Sequence, residues 1–151
     1  MLRSRINEAL TEAIKAKEKR AVSTLRLIIA AVKDRDIAAR GKGVMDGIDD
    51  DEILSLMQTM IRQRHDSVAL YEQGGRLDLA EGEREEVEII RRFLPEQMDD
   101  GSTREAVAAV ITDIEANGIK DMGRTMAELR TRYAGRMDFA KASGMVKKAL
   151  A

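Results

Sequence analysis

The stretch VEIIRRFLPEQMDDGS, residues 87–102, decides how this chain is organised. Val87, Ile90 and Leu94 recur at steps of three and four, which is the spacing of one buried face of an α-helix. Pro95 is the only proline in the chain, and the residue before a proline is driven out of helical geometry. Because acidic and turn-forming residues follow the proline, we place a domain boundary in the segment after it. The predicted units are residues 1–96 and 97–151.

Helical signals fill the chain before that boundary. A first long helix is predicted to end near the RGKG sequence at residues 40–43. Asp49 followed by Glu52 is typical of a capped helix start with an acid in its first turn. The glycine pair at residues 74–75 then ends the helix that starts there. The positions predicted to face inward from the first of these helices are Val22, Leu25, Ile29 and Val32.

Three further helices are predicted after the boundary. Ser102 and Glu105 form a capping-box pattern at the start of the first one. Asp121 and Asp138 are the expected N-caps of the other two, which are separated by Gly135. No segment shows the sustained alternation of a strand. The predicted fold class is all-α, with an N-terminal helical bundle followed by a small C-terminal three-helix domain.

The composition excludes several classes of protein. The 151 residues include no cysteine, which rules out disulfides and thiolate chemistry and suits a reducing compartment. No apolar run approaches the roughly 20 residues of a membrane span. The basic N-terminal segment also carries acidic residues, in which transit peptides are poor. We therefore expect a cytoplasmic protein that has no membrane association.

No catalytic or metal site is predicted. His65 is the single histidine, so no second histidine or cysteine is present to complete a site around it. Glu81, Glu85 and Glu88 fall on one helical face, but the Glu-x-x-His motif of di-metal bundles is absent. No serine has an activating partner nearby in the sequence. We predict no catalytic residue, no metal ligand and no cofactor.

Four segments resemble one protein family. The sequence YEQGGRLDLAEGEREEVEIIRRFLPEQM, residues 71–98, resembles the signature segment of the YqeY-like family, also called the GatB/YqeY domain family. The same family is matched in the same order by KAKEKRAVSTLRLIIAAVKDRDI (15–37), IKDMGRTMAEL (119–129) and GRMDFAKASGMVKKAL (135–150). The resemblance therefore covers nearly the whole chain.

This resemblance implies a fold and a class of function. The family is all-helical, with an N-terminal bundle joined to a small three-helix unit. That unit is similar to the tRNA-contacting tail of the tRNA amidotransferase B subunit, part of a carbon–nitrogen ligase with glutamine as amide donor. The catalytic domain and the amidase motif of that enzyme are missing here. The resemblance thus implies a protein without autonomous activity that binds tRNA or a translation-associated partner.

The basic C-terminal end supplies a candidate RNA-binding surface. From Gly118 onward the chain holds eight Lys and Arg against three Asp and Glu, a balance that suits a phosphate backbone. Gly123 lies at a predicted helix start, where either close packing or an approaching phosphate would need the missing Cβ. Asp121 would compete with a phosphate for the same N–H groups. The candidate residues are Lys120, Gly123, Arg124, Arg130, Arg132, Arg136, Lys141, Lys147 and Lys148.

Two other functions remain open at this stage. In the first, the acidic helix at 81–88 and a methionine-containing groove bind a partner protein, and RNA plays no part. In the second, the chain is an accessory component of an amidotransferase complex whose active sites lie on other subunits.

Overall fold

The computed structural model describes all residues, 1–151, and is entirely helical. Seven α-helices follow one another along the chain, and a short 3-10 turn, Ile119–Asp121, precedes the sixth. The predicted all-α class is confirmed. The chain divides into two compact units, Met1–Leu94 and Pro95–Ala151. The helices are α1 (Leu2–Lys15), α2 (Lys19–Arg40), α3 (Asp50–Gln73), α4 (Leu77–Arg91), α5 (Asp100–Asp113), α6 (Met122–Tyr133) and α7 (Phe139–Leu150).

The first unit is a bundle of α1 to α4 around one apolar core. Helix α2 contacts each of the other three helices, so it needs a wide apolar face. Ile28 is fully buried at the centre of that face, whereas Val22 and Ile29, both predicted to point inward, are only partly buried. Both pack against the core as predicted, and Ile28 is added to the buried set because a helix surrounded by three neighbours buries more than one stripe. The core residues contributed by α2 are Ala21, Thr24, Leu25, Ile28 and Val32.

The loop between α2 and α3 is pinned to α1 by an ion pair. Arg3 donates two hydrogen bonds to the Asp36 carboxylate, at 2.9 and 2.6 Å, and a third to the Ile48 carbonyl at 2.9 Å. The Ile48 N–H in turn donates to Asp36 Oδ1 at 2.9 Å. Gly47 has a φ of 88°, and a Cβ there would lie 2.6 Å from the Arg3 guanidinium. Only glycine therefore fits where this loop crosses Arg3.

The helix ends predicted for α2 and α3 agree with the structure. Helix α2 ends at Arg40 and α3 at Gln73, immediately before the glycines. Asp49 caps α3 by accepting a hydrogen bond from the Glu52 N–H at 2.9 Å. These signals are local, because a cap and a glycine stop depend on residues a few positions apart.

The second unit packs α5, α6 and α7 around its own core. Its fully buried side chains include Val110, Leu129, Met137 and Val146. Asp138 caps α7 as predicted, accepting from the N–H groups of Ala140 and Lys141 at 3.0 and 3.2 Å.

The start of α5 differs from the capping box expected at Ser102. The helix begins at Asp100, and the cap is Asp99, which accepts a hydrogen bond from the Ser102 N–H at 2.7 Å. Ser102 is therefore a residue of the first turn rather than the cap. Aspartate is as good an N-cap as serine, and this helix starts at the earlier of the two capping residues.

Candidate RNA-binding surface

The predicted basic surface lies on α6, on α7, on the loop between them and on the 3-10 turn before α6. The Arg130 guanidinium carbon lies 5.8 Å from the centre of the Phe139 ring, so the end of α6 adjoins the start of α7. At the other end, the 3-10 turn contacts α7. Lys147 and Lys148 lie in the last turn of α7, and Lys120 lies in the 3-10 turn.

All three acidic residues of this segment have local partners. Asp121 accepts a hydrogen bond from the Asn117 N–H at 2.7 Å, and this bond is the main reason that its pKa is lowered. Glu128 accepts from Arg132 at 2.8 Å. Asp138 caps α7. Their carboxylates thus keep their negative charges and are held within the unit by these contacts.

Three of the nine predicted residues are committed to the structure of the unit. Arg132 pairs with Asp113 at 2.7 Å as well as with Glu128, and these carboxylates raise its pKa. Lys141 lies 3.3 Å from Asp100. Arg124 donates to the Ile114 carbonyl at 2.9 Å. Their side chains are less available to an outside phosphate than their sequence positions suggest.

The other basic residues of the prediction are exposed and have no acidic partner at hydrogen-bond or ion-pair distance. Lys120, Lys147 and Lys148 form no hydrogen bond and no ion pair. Arg130 lies over Phe139, and Arg136 lies 6.0 Å from the centre of the Tyr133 ring. Stacking on a ring leaves a guanidinium positively charged and its N–H donors accessible.

Gly123 is not explained by packing within this chain. The residue is exposed, and a Cβ at this position would meet no atom within 4 Å. The expected competition from Asp121 is also wrong, because that carboxylate bonds to Asn117 and makes no capping bond to α6. A glycine inside a helix is about 1 kcal/mol less favourable than an alanine. Gly123 is the second residue of α6, so it carries at most this cost, and no contact within the chain requires a glycine there.

The sequence prediction missed a second glycine of this kind. Gly144, in the middle of α7, is exposed, and a Cβ at its position would also have no atom within 4 Å. Residues three and four apart share a helical face, so Lys141, Gly144 and Lys148 lie in one row. The spacing of KASGMVKK contains this signal. We define the basic surface as Lys120, Gly123, Arg130, Arg136, Gly144, Lys147 and Lys148.

Other candidate sites from the sequence take structural or solvent-exposed positions. His65 is exposed. The three glutamates on one face of the 81–88 segment form ion pairs with arginines: Glu81 with Arg84, Glu85 with Arg20 and Glu88 with Arg91. No cluster of three or more histidine, aspartate or glutamate side chains is arranged to hold a metal ion.

Several methionines of α3 and α6 are part of the cores. Met57 is fully buried, and Met60 and Met126 are nearly so. These side chains fill the interiors of the two units, as flexible apolar residues often do. The proposed methionine-containing groove is therefore not present at these positions.

The comparison with known families covers nearly the whole chain. A family model described as YqeY-like protein matches residues 3–150. The chain belongs to the YqeY-like family. Its predicted family membership is thus confirmed. None of the helices of this YqeY-like protein is long and apolar enough to cross a membrane.

Curated relatives of this YqeY-like protein come from yeasts. A Lachancea thermotolerans protein named "Altered inheritance of mitochondria protein 41, mitochondrial" is 32% identical over 89 residues, covering 59% of this chain and 46% of the relative. Its Candida glabrata namesake is 28% identical over 91 residues, or 60% of this chain and 48% of the relative. An uncharacterized Schizosaccharomyces pombe protein is 27% identical over 95 residues, covering 63% of this chain and 73% of the relative. The match thus spans about half the length of the first two relatives.

These names contradict the expected cytoplasmic location. Relatives from Lachancea thermotolerans, Candida glabrata and Clavispora lusitaniae are all named as mitochondrial proteins. The expectation rested on composition, and an absence of cysteine is equally compatible with other reducing compartments.

Proposed function

We propose that this protein is a non-catalytic tRNA-binding protein and that it contacts the RNA backbone through the basic surface of its C-terminal unit. The observation that carries the proposal is the charge distribution on α7. This helix contains no acidic residue, and two of its three lysines, Lys147 and Lys148, form no ion pair; the three acids found elsewhere between residues 118 and 151 have local partners. An anionic partner meets little opposing charge there.

The chemistry of the surface favours recognition of RNA shape over RNA sequence. Lysine ammonium groups bind phosphates as point charges, and they carry little information about base identity. The two aromatic rings nearby, Phe139 and Tyr133, are partly buried and already stacked with arginines. They offer no free platform for unstacked bases. Backbone contacts to a folded RNA are the mode that these residues support.

Gly123 and Gly144 add steric support to this proposal. Both glycines leave the helix backbone uncovered beside exposed lysines. Without a Cβ, a phosphate group can approach the helix more closely than at any other residue. An accessory role in an amidotransferase complex is compatible with this binding mode, and the active sites would then belong to other subunits.

Fluorescence polarisation of labelled tRNA tests the proposal directly. Total tRNA and total mitochondrial tRNA are both used, because three relatives are named mitochondrial proteins. The test variant carries Lys120→Glu, Lys147→Glu and Lys148→Glu. Its matched control carries Arg35→Glu, Lys42→Glu and Arg62→Glu, three exposed residues of the other unit that form no ion pair.

We expect micromolar binding by the unaltered protein that weakens steeply between about 50 and 200 mM salt. The test variant should bind at least about tenfold more weakly, with a salt slope smaller by roughly two to three because fewer counterions are released. The control has the same net charge and should lose much less affinity. Equal losses in the two variants, or no binding by the unaltered protein, would refute the proposed surface.

A further inference from the structure

The hairpin formed by α3 and α4 extends beyond the core of the first unit. Helix α3 contributes buried residues only as far as Met60, and no residue from Ile61 to Leu79 is buried. Thirteen helical residues at 1.5 Å each make this half of α3 roughly 20 Å long. We call residues 61–86 the hairpin arm.

Contacts at the base of the arm show where the rest of the bundle stops. Arg20, in the first turn of α2, lies against Gly82, where a Cβ would be 3.2 Å from its guanidinium. Arg64 pairs with Glu86 at 2.9 Å at a similar height. The first turn of α4 and the last turns of α3 therefore project past the start of α2. Only these two helices cover each other there.

Two leucines lie uncovered on one side of the arm. The exposed fraction is 67% for Leu70 and 38% for Leu79. Glu72 and Arg84 form an ion pair between the two helices on one side of the hairpin. At 100° per residue, Leu70 lies about 160° from Glu72, and Leu79 about 140° from Arg84. Both leucines therefore lie on the side opposite this ion pair.

Each of these leucines is accompanied, one turn toward the bundle, by a carboxylate that forms no direct ion pair. Asp66 precedes Leu70 by four residues, and Glu83 follows Leu79 by four, so each pair shares a helical face. Neither acid forms an ion pair or a hydrogen bond. Glu83 is partly buried, and its burial, followed by the charge of Glu86, raises its pKa, while the charges of Arg64 and Arg20 offset part of this rise. A positive charge next to Glu83 would stabilise its charged form and lower its pKa.

The arginines of the arm form no direct ion pair with these two carboxylates, although the charge of Arg64 acts on Glu83. Arg62 forms no ion pair, and the other three are already paired with carboxylates elsewhere on the arm: Arg64 with Glu86, Arg76 with Asp78 and Arg84 with Glu72. Over residues 61–86 there are seven Asp and Glu against four Arg, so the arm is acidic as a whole. A like-charged partner would be repelled from it, and a basic one attracted.

We propose that the leucine side of the hairpin arm docks a basic amphipathic helix of a partner protein. The apolar stripe of that helix would cover Leu70 and Leu79, and its lysines or arginines would pair with Asp66 and Glu83. Charge complementarity selects this occupant, because each exposed leucine is flanked by an unpaired carboxylate. This interaction does not depend on the basic surface of the C-terminal unit.

A titration of the full-length, isotope-labelled chain tests the docking surface by NMR. The probe is an amphipathic helical peptide of about 18 residues, five turns, made only of leucine and lysine. A peptide with glutamate at every lysine position and a peptide with the same leucines and lysines in scrambled order are the comparison ligands. We expect saturable shifts confined to amides of the arm with the amphipathic leucine–lysine peptide alone.

Variants on the two sides of the arm provide matched controls. Leu70→Ser with Leu79→Ser should weaken peptide binding at least about tenfold, since two apolar contacts are lost. Leu77→Ser should change it less than about twofold, because Leu77 is 66% exposed but lies on the side of Arg84. Asp66→Asn with Glu83→Gln should weaken binding severalfold, whereas Glu81→Gln, on the Arg84 side, should not.

Three results would overturn the proposal. The first is equal binding of the glutamate or scrambled peptide, and the second is a set of shifted amides outside the arm. The third is self-association of the unaltered chain in sedimentation experiments that Leu70→Ser with Leu79→Ser abolishes, which would make a second copy the occupant. Loss of tRNA binding in the other experiment leaves this result unaffected.

Discussion

Replacing Asp36 by asparagine should destabilise the N-terminal bundle by removing one charge from a nearly isosteric side chain. The Asp36 side chain is 15% exposed and is held by Arg3, which is 39% exposed. Its hydrogen bonds with the Arg3 guanidinium, and then with the Ile48 N–H, hold the pKa of Asp36 at about 2, below its usual 3.8. The asparagine side chain would keep an oxygen for the Ile48 N–H but lose the charged contact with Arg3.

The size of this effect follows from the pKa. The lowering of the Asp36 pKa from 3.8 to about 2 means that folding favours the charged carboxylate over the neutral form by about 2 kcal/mol. Solvent screening of the more exposed Arg3 reduces this figure. We therefore expect Asp36→Asn to lower the free energy of unfolding by about 1–2 kcal/mol near pH 7.

The sign of the pH dependence is also determined. Because the folded-state pKa is depressed, the stabilisation is present above pH 3.8 and is lost as the pH falls through about 2. The difference in stability between the unaltered protein and Asp36→Asn should be constant from neutral pH to about pH 5 and smaller by about half at pH 3.

Urea unfolding followed by circular dichroism at pH 7 and pH 3 measures this difference, and exchange of the Ile48 amide hydrogen reports on the pinned loop. Asp34→Asn is the matched control, because Asp34 is exposed on the same helix and forms no ion pair. Arg3→Met should cost much less in the Asp36→Asn background than alone. A cost for Asp36→Asn below about 0.5 kcal/mol, or one that is equal at the two pH values, would contradict the reasoning.

Three other predictions concern the second unit. Gly123→Ala and Gly144→Ala should each raise the free energy of unfolding by about 0.5–1 kcal/mol in denaturant melts, and both should weaken tRNA binding if phosphates approach these backbones. Asp99→Ala should lower the stability of this unit by about 1 kcal/mol through loss of the α5 cap, whereas Ser102→Ala should have a smaller effect on thermal unfolding. Leu129→Ala should cost about 2–5 kcal/mol, because Leu129 is fully buried; calorimetry would detect a lowered transition, and an unchanged one would refute its place in the core.

Local signals in the sequence were sufficient for most helix ends. Asp49 and Asp138 cap the helices for which they were predicted, because a cap requires only an oxygen and an N–H two or three residues away. At Ser102 the same reasoning chose the wrong residue. Asp99 lies three positions earlier and caps α5 instead, and the sequence offers two acceptable caps without a means of ranking them.

For the basic surface, local signals in the sequence were not sufficient. The excess of lysine and arginine after Gly118 is a property of the sequence. Which of these residues remain available was decided by contacts between distant positions, since Lys141 meets Asp100 and Arg132 meets Asp113 only after folding. Lys147 and Lys148 remain unpaired for the same reason: no acidic side chain of the folded unit reaches them.

The sequence by itself thus determined that the chain is helical, which residues end most of its helices and which family it belongs to, because helix periodicity, caps and motifs are encoded over short spans. Only the tertiary structure decided that α2 buries more than one stripe, that Gly123 faces open space and that the α3–α4 hairpin extends beyond its core. Burial and ion pairing depend on which helices become neighbours. That choice is made by packing across the whole unit rather than by any single stretch of residues.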